Sequence, residues 1–278
     1  MSLSRPHKGA VFRALHEQAG AFVIPNPWDI GTARILASMG FPALATTSAG
    51  MAFALGLPEG RVSKEQTLAH CRDIVTATDL PVSADLEKGF GDTPESVAAT
   101  VRAAAETGLA GCSIEDHTNR KADPIFEFDL AVERIEAAVE ACRGLPHDFV
   151  LTARCDNLLW GRPDLNDTIR RLQAFEEAGA DVLYAPGLHD LETIRTVCAA
   201  VTRPVNVVMG MPGATFGVED LAAVGVKRIS VGAALARAAF GTFVRAYREI
   251  TDHGTFRFSR DAIGFADLEG FFVPFDRR

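Results

Sequence analysis

The sequence predicts a (β/α)8 barrel. Three observations carry that expectation. Short apolar, β-branched runs recur eight times along 278 residues, segments of helical periodicity separate them, and a glycine repeatedly stands where a helix gives way to the next run. Apolar strands alternating with helices belong to a parallel sheet covered on both faces. Eight such units in a chain of this length match a barrel.

The runs are AFVIPNP (21–27), PALATTSAG (42–50), LPVSADLEKG (80–89) and AGCSIED (110–116), then DFVLTARCDN (148–157), ADVLYAPG (180–187), RPVNVVMG (203–210) and VKRISVGAA (226–234). Between the third and fourth, TPESVAATVRAAAETG reads as a helix with Thr93 as its N-cap, Pro94 in its first turn and Gly108 beyond its end. FDLAVERIEAAVEAC and DLNDTIRRLQAFEEAGA repeat the pattern with apolar residues three and four apart. The joints ASMGFPALA, AETGLAGCSIE, EEAGADVLYA and AAVGVKRISVG share a helix–glycine–strand phrase, in which glycine turns the chain tightly after the helix. An open doubly wound sheet is the rival. It usually has fewer strands and often a GxGxxG turn after the first, which is absent here.

No Pro/Ser linker or low-complexity stretch divides the chain, so residues 1–278 are expected to form a single barrel domain. The tail FRFSRDAIGFADLEGFF (256–272) is too apolar for a disordered end and is expected to pack on a neighbouring subunit or across the barrel. Composition narrows the partners. A net charge of −8 argues against a nucleic-acid face, which needs clustered basic residues, and against an anionic membrane surface. A small anionic substrate stays open, because a local arginine or metal outweighs global charge. No apolar run reaches a membrane span of about 18–20 residues, and MSLSRPHKGAVFRALHEQ lacks the apolar centre of a signal peptide. Five cysteines without CxxC spacing read as reduced thiols, pointing to a cytoplasmic protein.

In a parallel barrel the chemistry sits at the C-terminal ends of the strands. Those ends hold Thr47, Ser48 and Ala49 after the second run, Asp85 and Glu87 after the third, and Glu115, Asp116 and His117 after the fourth. The fifth ends in Arg154, Cys155, Asp156 and Asn157, the sixth in Tyr184 and Pro186, and the seventh carries Asn206. Asp85, Glu87 and Glu115 are hard oxygen donors on adjacent strands, and three close carboxylates repel unless a cation or protons neutralise them. Few protein ligands, with room for water and substrate oxygens, suit Mg²⁺ or Mn²⁺ better than Ca²⁺ or Zn²⁺. The alternative is a structural ion network with Arg154 and Lys88. Arg154 presents a fork for a carboxylate or phosphate, or else balances Glu115 or Asp85. Thr47, Ser48 and Ala49 could cradle a carboxylate with N–H and hydroxyl donors, or form a plain turn. His117 is either an acid/base at the mouth or a surface residue. Cys155 alternates toward the helices. Pleat alternation is expected to put Asp85 and Glu87 on one face, with Gly89 and Gly91 letting the backbone approach a ligand.

The elements ATTSAGMAFALGLPEG, SADLEKGFGD, GCSIEDH and LTARCDN, in this order and spacing, resemble the isocitrate lyase/phosphoenolpyruvate mutase superfamily, from about residue 10 to 250. The resemblance implies a barrel whose last helix swaps between subunits, a homo-oligomer built as a dimer of dimers, and a small 2-oxo di- or tricarboxylate substrate. It implies that Asp85 contacts Mg²⁺ directly while Glu87 and Glu115 act largely through water, that Thr47, Ser48 and Ala49 hold the substrate carboxylate, and that Arg154 binds the 2-oxo end. The metal then stabilises an enolate as a C–C or P–C bond breaks.

Departures from the family pattern bear on the reaction. The lyase branch carries a K-[KR]-C-G-H loop whose cysteine is the acid/base, but SIEDHTNRKADPIFEFDL has none. Glu59 stands where the mutase branch has an aspartate, and Pro186 where the lyases have a glutamate. Oxaloacetate decarboxylation, which needs no such cysteine, is the leading expectation. Isocitrate or 2-methylisocitrate cleavage with Glu59, His117 or water as the acid is an alternative. Phosphoenolpyruvate mutase or phosphonopyruvate hydrolase chemistry, helped by Arg120 and Lys121, is another. A non-catalytic 2-oxo acid binder is the alternative of a different class.

Overall fold

The computed structural model describes residues 5–211, 213 and 215–276, so both ends of the expected 1–278 domain lie outside the described residues. Eight strands form one parallel sheet: β1 (Phe22–Ile24), β2 (Leu44–Ala45), β3 (Val82–Asp85), β4 (Gly111–Glu115), β5 (Val150–Arg154), β6 (Val182–Tyr184), β7 (Val205–Val208) and β8 (Arg228–Ser230). Their order is β1-β8-β7-β6-β5-β4-β3-β2. The seam between β1 and β2 is closed just past β1, where the Ala45 N–H donates to Pro25 O at 3.1 Å and Asn26 Nδ2 donates to Thr46 O at 2.9 Å. This is the predicted (β/α)8 barrel.

Around it run α2 (Ile30–Ser38), α4 (Lys64–Ala77), α5 (Pro94–Ala105), α6 (Phe128–Arg143), α7 (Leu165–Ala178), α8 (Leu191–Ala200), α9 (Val218–Ala223) and α10 (Ala234–His253). Capping fixes several starts. Thr93, Asp164 and Asp190 accept from backbone N–H groups of α5, α7 and α8, which meets donors a helix start leaves unpaired. The main core lies between sheet and helices, with Ile74, Val97, Ile114, Leu172, Phe175 and Ile194 fully buried. Each such side chain contributes about 1.5–3 kcal/mol on leaving water.

A second, smaller core plugs the N-terminal end of the barrel. There α1 (Arg5–Glu17) inserts Phe12 and Leu15 among Ile24, Ala43, Ala110, Val150 and Val182. That plug lies at the end of the barrel opposite the one where the strands finish.

One difference from the sequence reading matters. The second run makes a strand of only two residues, and its continuation coils into α3 (Ser48–Ala54). The tail is only partly settled against its own barrel: in α10 only Ala236 is buried, and Phe243 and Tyr247 are 70% and 60% exposed, while the Phe275 ring lies 5.5 Å from the Arg34 guanidinium on α2. Beyond it, α11 (Phe265–Gly270) starts with Phe265 at 87% exposure.

Candidate active site

The acidic turn after β3 is built by long-range ties. Asp85 ends the strand, Leu86 turns into the core, and Glu87 takes a left-handed backbone with φ 50°. Glu87 is therefore placed by this turn, not by the pleat alternation expected from sequence. The β3–β4 ladder still extends past the strand, since the Glu115 N–H donates to Glu87 O at 3.1 Å. The glycines make room for a helix and not for a ligand. A Cβ on Gly89, whose φ is +84°, would lie 3.2 Å from Val97 Cγ2, and one on Gly91 would overlap Ser96. Arg134, buried on α6, ties the turn by donating to the carbonyls of Lys88, Gly91 and Asp92, with its guanidinium 4.1 Å over the Phe126 ring.

At the mouth, Asp85 lines a cavity of about 80 Å³ together with Thr47, Arg154, Tyr184 and Asn206. The expected carboxylate cradle is the first turn of α3. Thr47 caps that helix by accepting from Gly50 N at 3.2 Å, and Ala49 is buried within it. Ser48 serves Asp85: its N–H and Oγ donate to Asp85 Oδ2 at 3.2 and 2.8 Å. Glu59 reaches the same place, 3.5 Å from Ser48 Oγ.

Arg154 is held by carboxylates on two sides. Nε and Nη2 donate to Asp156 at 2.5 and 2.9 Å, and Nη1 lies 3.0 Å from Glu115 Oε2. Burial disfavours its charge, but Asp156 and Glu115 hold its pKa well above the usual arginine value. A guanidinium has five N–H donors, so one on each terminal nitrogen is left for a ligand. His117 is buried, 3.7 Å from Glu115 Oε1, and stacked on Trp160. Asn206 sits deeper, accepting from Arg228 Nε at 2.8 Å and donating to Ser230 Oγ at 3.0 Å. Arg120 is turned to Asp92 at 2.7 Å and Lys121 is exposed, so neither joins the residues lining the cavity.

The carboxylates act on one another. Burial and then Asp85, Glu115 and Glu59 push Glu87 up to about 8. Burial and then Asp85 raise Glu59. Burial raises Glu115 against the opposing pull of Arg154. A set of hard oxygen donors in mutual repulsion fits a divalent cation, which removes the repulsion. Among the described residues no three acidic, histidine or cysteine side chains converge on one direct coordination shell. Of the three expected ligands only Asp85 lines the cavity.

Several residues to which the sequence assigned no role support the site. Asp156 is fully buried and aligns Arg154; its N–H donates to Asp116 Oδ1 at 2.8 Å, and Asp116 is held by Arg171 Nη1 at 3.2 Å. The sequence signal for Arg171 was its place beside Leu172 and Phe175 on the buried stripe of α7. Arg134 stands likewise on the buried stripe of α6, beside Ile135 and Ala138, while Trp160 and Arg228 carried no comparable local signal.

Comparison with known proteins agrees with this fold. The phosphoenolpyruvate phosphomutase family model matches residues 12–251. The 2-methylisocitrate lyase of Escherichia coli K12 is 32% identical over 213 residues, covering 74% of this chain and 70% of that protein. A solved Burkholderia cenocepacia J2315 protein, assigned to the lyases and mutases without a named substrate, is 56% identical with TM-score 0.94 over 97% of this chain and 96% of that one. Oxaloacetate acetylhydrolase, solved with the product oxalate, is 28% identical with TM-score 0.85 over 96% and 95% of the two chains.

Proposed function

The chain belongs to the phosphoenolpyruvate phosphomutase family, within a superfamily of carbon–carbon lyases and mutases, and from that premise we propose a Mg²⁺-dependent lyase acting on a small 2-oxo or 2-hydroxy carboxylate. Oxaloacetate decarboxylation is the reaction the site supports best. The observation that carries this reading is Asp85 at the edge of a small polar cavity, with three neighbouring carboxylates perturbed by its charge or by one another.

Asp85 would hold the cation directly, with Glu87 and Glu115 around it; Mn²⁺ is an acceptable substitute. Bound there, the ion supplies Lewis-acid stabilisation of negative charge on a substrate oxygen. Ser48 fixes the Asp85 carboxylate through two hydrogen bonds. The two remaining N–H groups of Arg154 would bind the 2-oxo acid end, and the Asp156–Glu115 clamp limits rotation of the guanidinium. The bond to the far carboxylate breaks, carbon dioxide leaves, its electron pair passes to the 2-oxo group, and a proton from water or Glu59 restores the carbon.

A second reading, cleavage of the 2-methylisocitrate type, is supported by the E. coli relative. It would require Glu59 or His117 to provide the proton that a cysteine provides in the lyase branch. Incubation with Mg²⁺ and, separately, oxaloacetate, 2-methylisocitrate, isocitrate and phosphonopyruvate separates these readings by their products. Pyruvate and carbon dioxide from oxaloacetate support the first. Turnover of phosphonopyruvate alone sinks it. The exposed apolar side of α10 is assigned to further copies of the chain in a cytoplasmic homo-oligomer; a monomeric mass by light scattering contradicts that assignment.

A further inference from the structure

Arg228 occupies the inside of the barrel, at the first position of β8, and is 5% exposed. All its protein partners are neutral. Nε donates to Asn206 Oδ1 at 2.8 Å, Nη2 to Thr152 Oγ1 at 2.9 Å, and Nη1 faces His16 Nε2 at 3.4 Å. The His16 ring is oriented by its other nitrogen, 2.8 Å from Phe12 O, which leaves Nε2 as the acceptor toward Arg228. Among the described residues no carboxylate forms an ion pair with this guanidinium, although Arg13, Lys88, Arg120, Arg154 and Arg171 all have one.

An isolated charge taken out of water costs several kcal/mol unless something pairs with it. Three neutral acceptors satisfy three of five N–H groups. The other two have no protein acceptor among the described residues. Arg228 also lines the cavity of about 80 Å³ that opens at Asp85, and Asp85 is the only carboxylate among its lining residues. Asp85 is occupied elsewhere, by Ser48 and by the Glu87 N–H at 3.3 Å. Barrel interiors are ordinarily filled by branched apolar side chains. This one presents Ser83, Ser113, Tyr184 and Ser230 to the same space.

We infer that the floor of this cavity is an anion site in which Arg228, supported by Asn206 and Thr152, binds a carboxylate-sized monovalent anion. The partner chemistry is that of formate, of a halide, or of one carboxylate of a larger acid. The two free N–H groups supply charge-assisted hydrogen bonds, and the surrounding hydroxyls allow the anion to shed its water. Such an occupant compensates the charge that the protein leaves bare. It also gives a dicarboxylate a second point of attachment, away from Asp85; only that last role rests on the proposed lyase reading.

The test is made without Mg²⁺ or substrate, so it stands apart from the lyase reading. Melting temperature is followed against sodium formate, with ionic strength kept constant by a bulky sulfonate salt, for the native chain and for Arg228→Met. A saturable rise in the native chain that is absent from Arg228→Met is expected. No rise, or an equal rise in both, overturns the site. Should Arg228→Met fail to fold, native crystals soaked in bromide decide: an anomalous peak within hydrogen-bond distance of the Arg228 guanidinium is expected, and a cavity without one at saturating bromide overturns the proposal. Calorimetric titration of oxalate with Mg²⁺ then identifies the source. A tenfold or greater loss of oxalate affinity in saturating formate assigns the site to the ligand's own carboxylate. Unchanged affinity assigns it to a separately held anion.

Discussion

The imidazole of His117 lies flat on the indole of Trp160, with ring centroids 4.0 Å apart and planes 5° from parallel. The same indole donates from Nε1 to Asp156 Oδ2 at 3.1 Å, so one side chain steadies both His117 and the carboxylate that aligns Arg154. Stacked aromatic pairs contribute about 0.5–1.5 kcal/mol beyond their burial. Trp160→Ala is expected to lower kcat/KM for the cleaved substrate by about tenfold, and Trp160→Phe, which keeps the stack and loses the N–H, by less. Equal kcat/KM in Trp160→Ala and the native enzyme would show that the stack positions nothing.

Arg134 is the tie that shapes the acidic turn. Its loss orphans three backbone carbonyls beneath Asp85 and Glu87. Hydrogen bonds to charged groups contribute about 1.5–3 kcal/mol each, and some of the carbonyls will find water instead. Arg134→Met is expected to destabilise the fold by about 3 kcal/mol and to weaken Mn²⁺ binding. A melting temperature within a degree of the native value would contradict the account.

Gly91 tests what the glycines are for. If they cleared space for a ligand, Gly91→Ala would harm binding and leave stability alone. The overlap of a new Cβ with Ser96 predicts the reverse order of effects: the start of α5 shifts, and stability falls by about 1–3 kcal/mol. Chemical denaturation beside a substrate-binding titration separates the two.

Stability should fall on mild acidification because of His16. Burial first, and then the Arg228 charge, lower its pKa to about 3. An unfolded histidine titrates near 6.5. Above about pH 6.5 neither state is protonated and His16 adds no pH dependence; between about 6.5 and 3 only the unfolded state takes the proton, so stability is lost as pH falls. The share lost by pH 5 is about 2 kcal/mol. Comparing the native chain with His16→Gln over pH 7 to 5 isolates this share from the carboxylates, and parallel curves for the two proteins would contradict it.

The barrel was legible because its signals are local. Apolar runs mark strands, caps and terminal glycines mark helices, and counting to the end of each run locates Asp85 and Arg154 on one cavity, with Glu115 3.0 Å from Arg154. The parts that escaped are set by distant residues. Glu87 is turned into a left-handed conformation where alternation predicted an ordinary pleat. Thr47 and Ser48 begin a helix because Thr47 can cap it, and a run of small residues does not reveal that choice. Nothing local shows that the Asn206 carbonyl, at the edge of the cavity, accepts from Arg228, 22 residues away. Whether a buried arginine finds a carboxylate partner is decided by packing, and no spacing rule announces it.

The measurement closest to the central claim is cation binding and turnover by Asp85→Asn, which keeps the shape of the side chain and removes its charge. Binding of Mn²⁺ by calorimetry and Mg²⁺-dependent pyruvate release from oxaloacetate are followed in both proteins. The account predicts that the variant keeps its fold, binds Mn²⁺ at least a hundredfold more weakly, and loses turnover by a similar or larger factor. Native Mn²⁺ affinity, or undiminished Mg²⁺-dependent release of pyruvate, in a folded Asp85→Asn would contradict it.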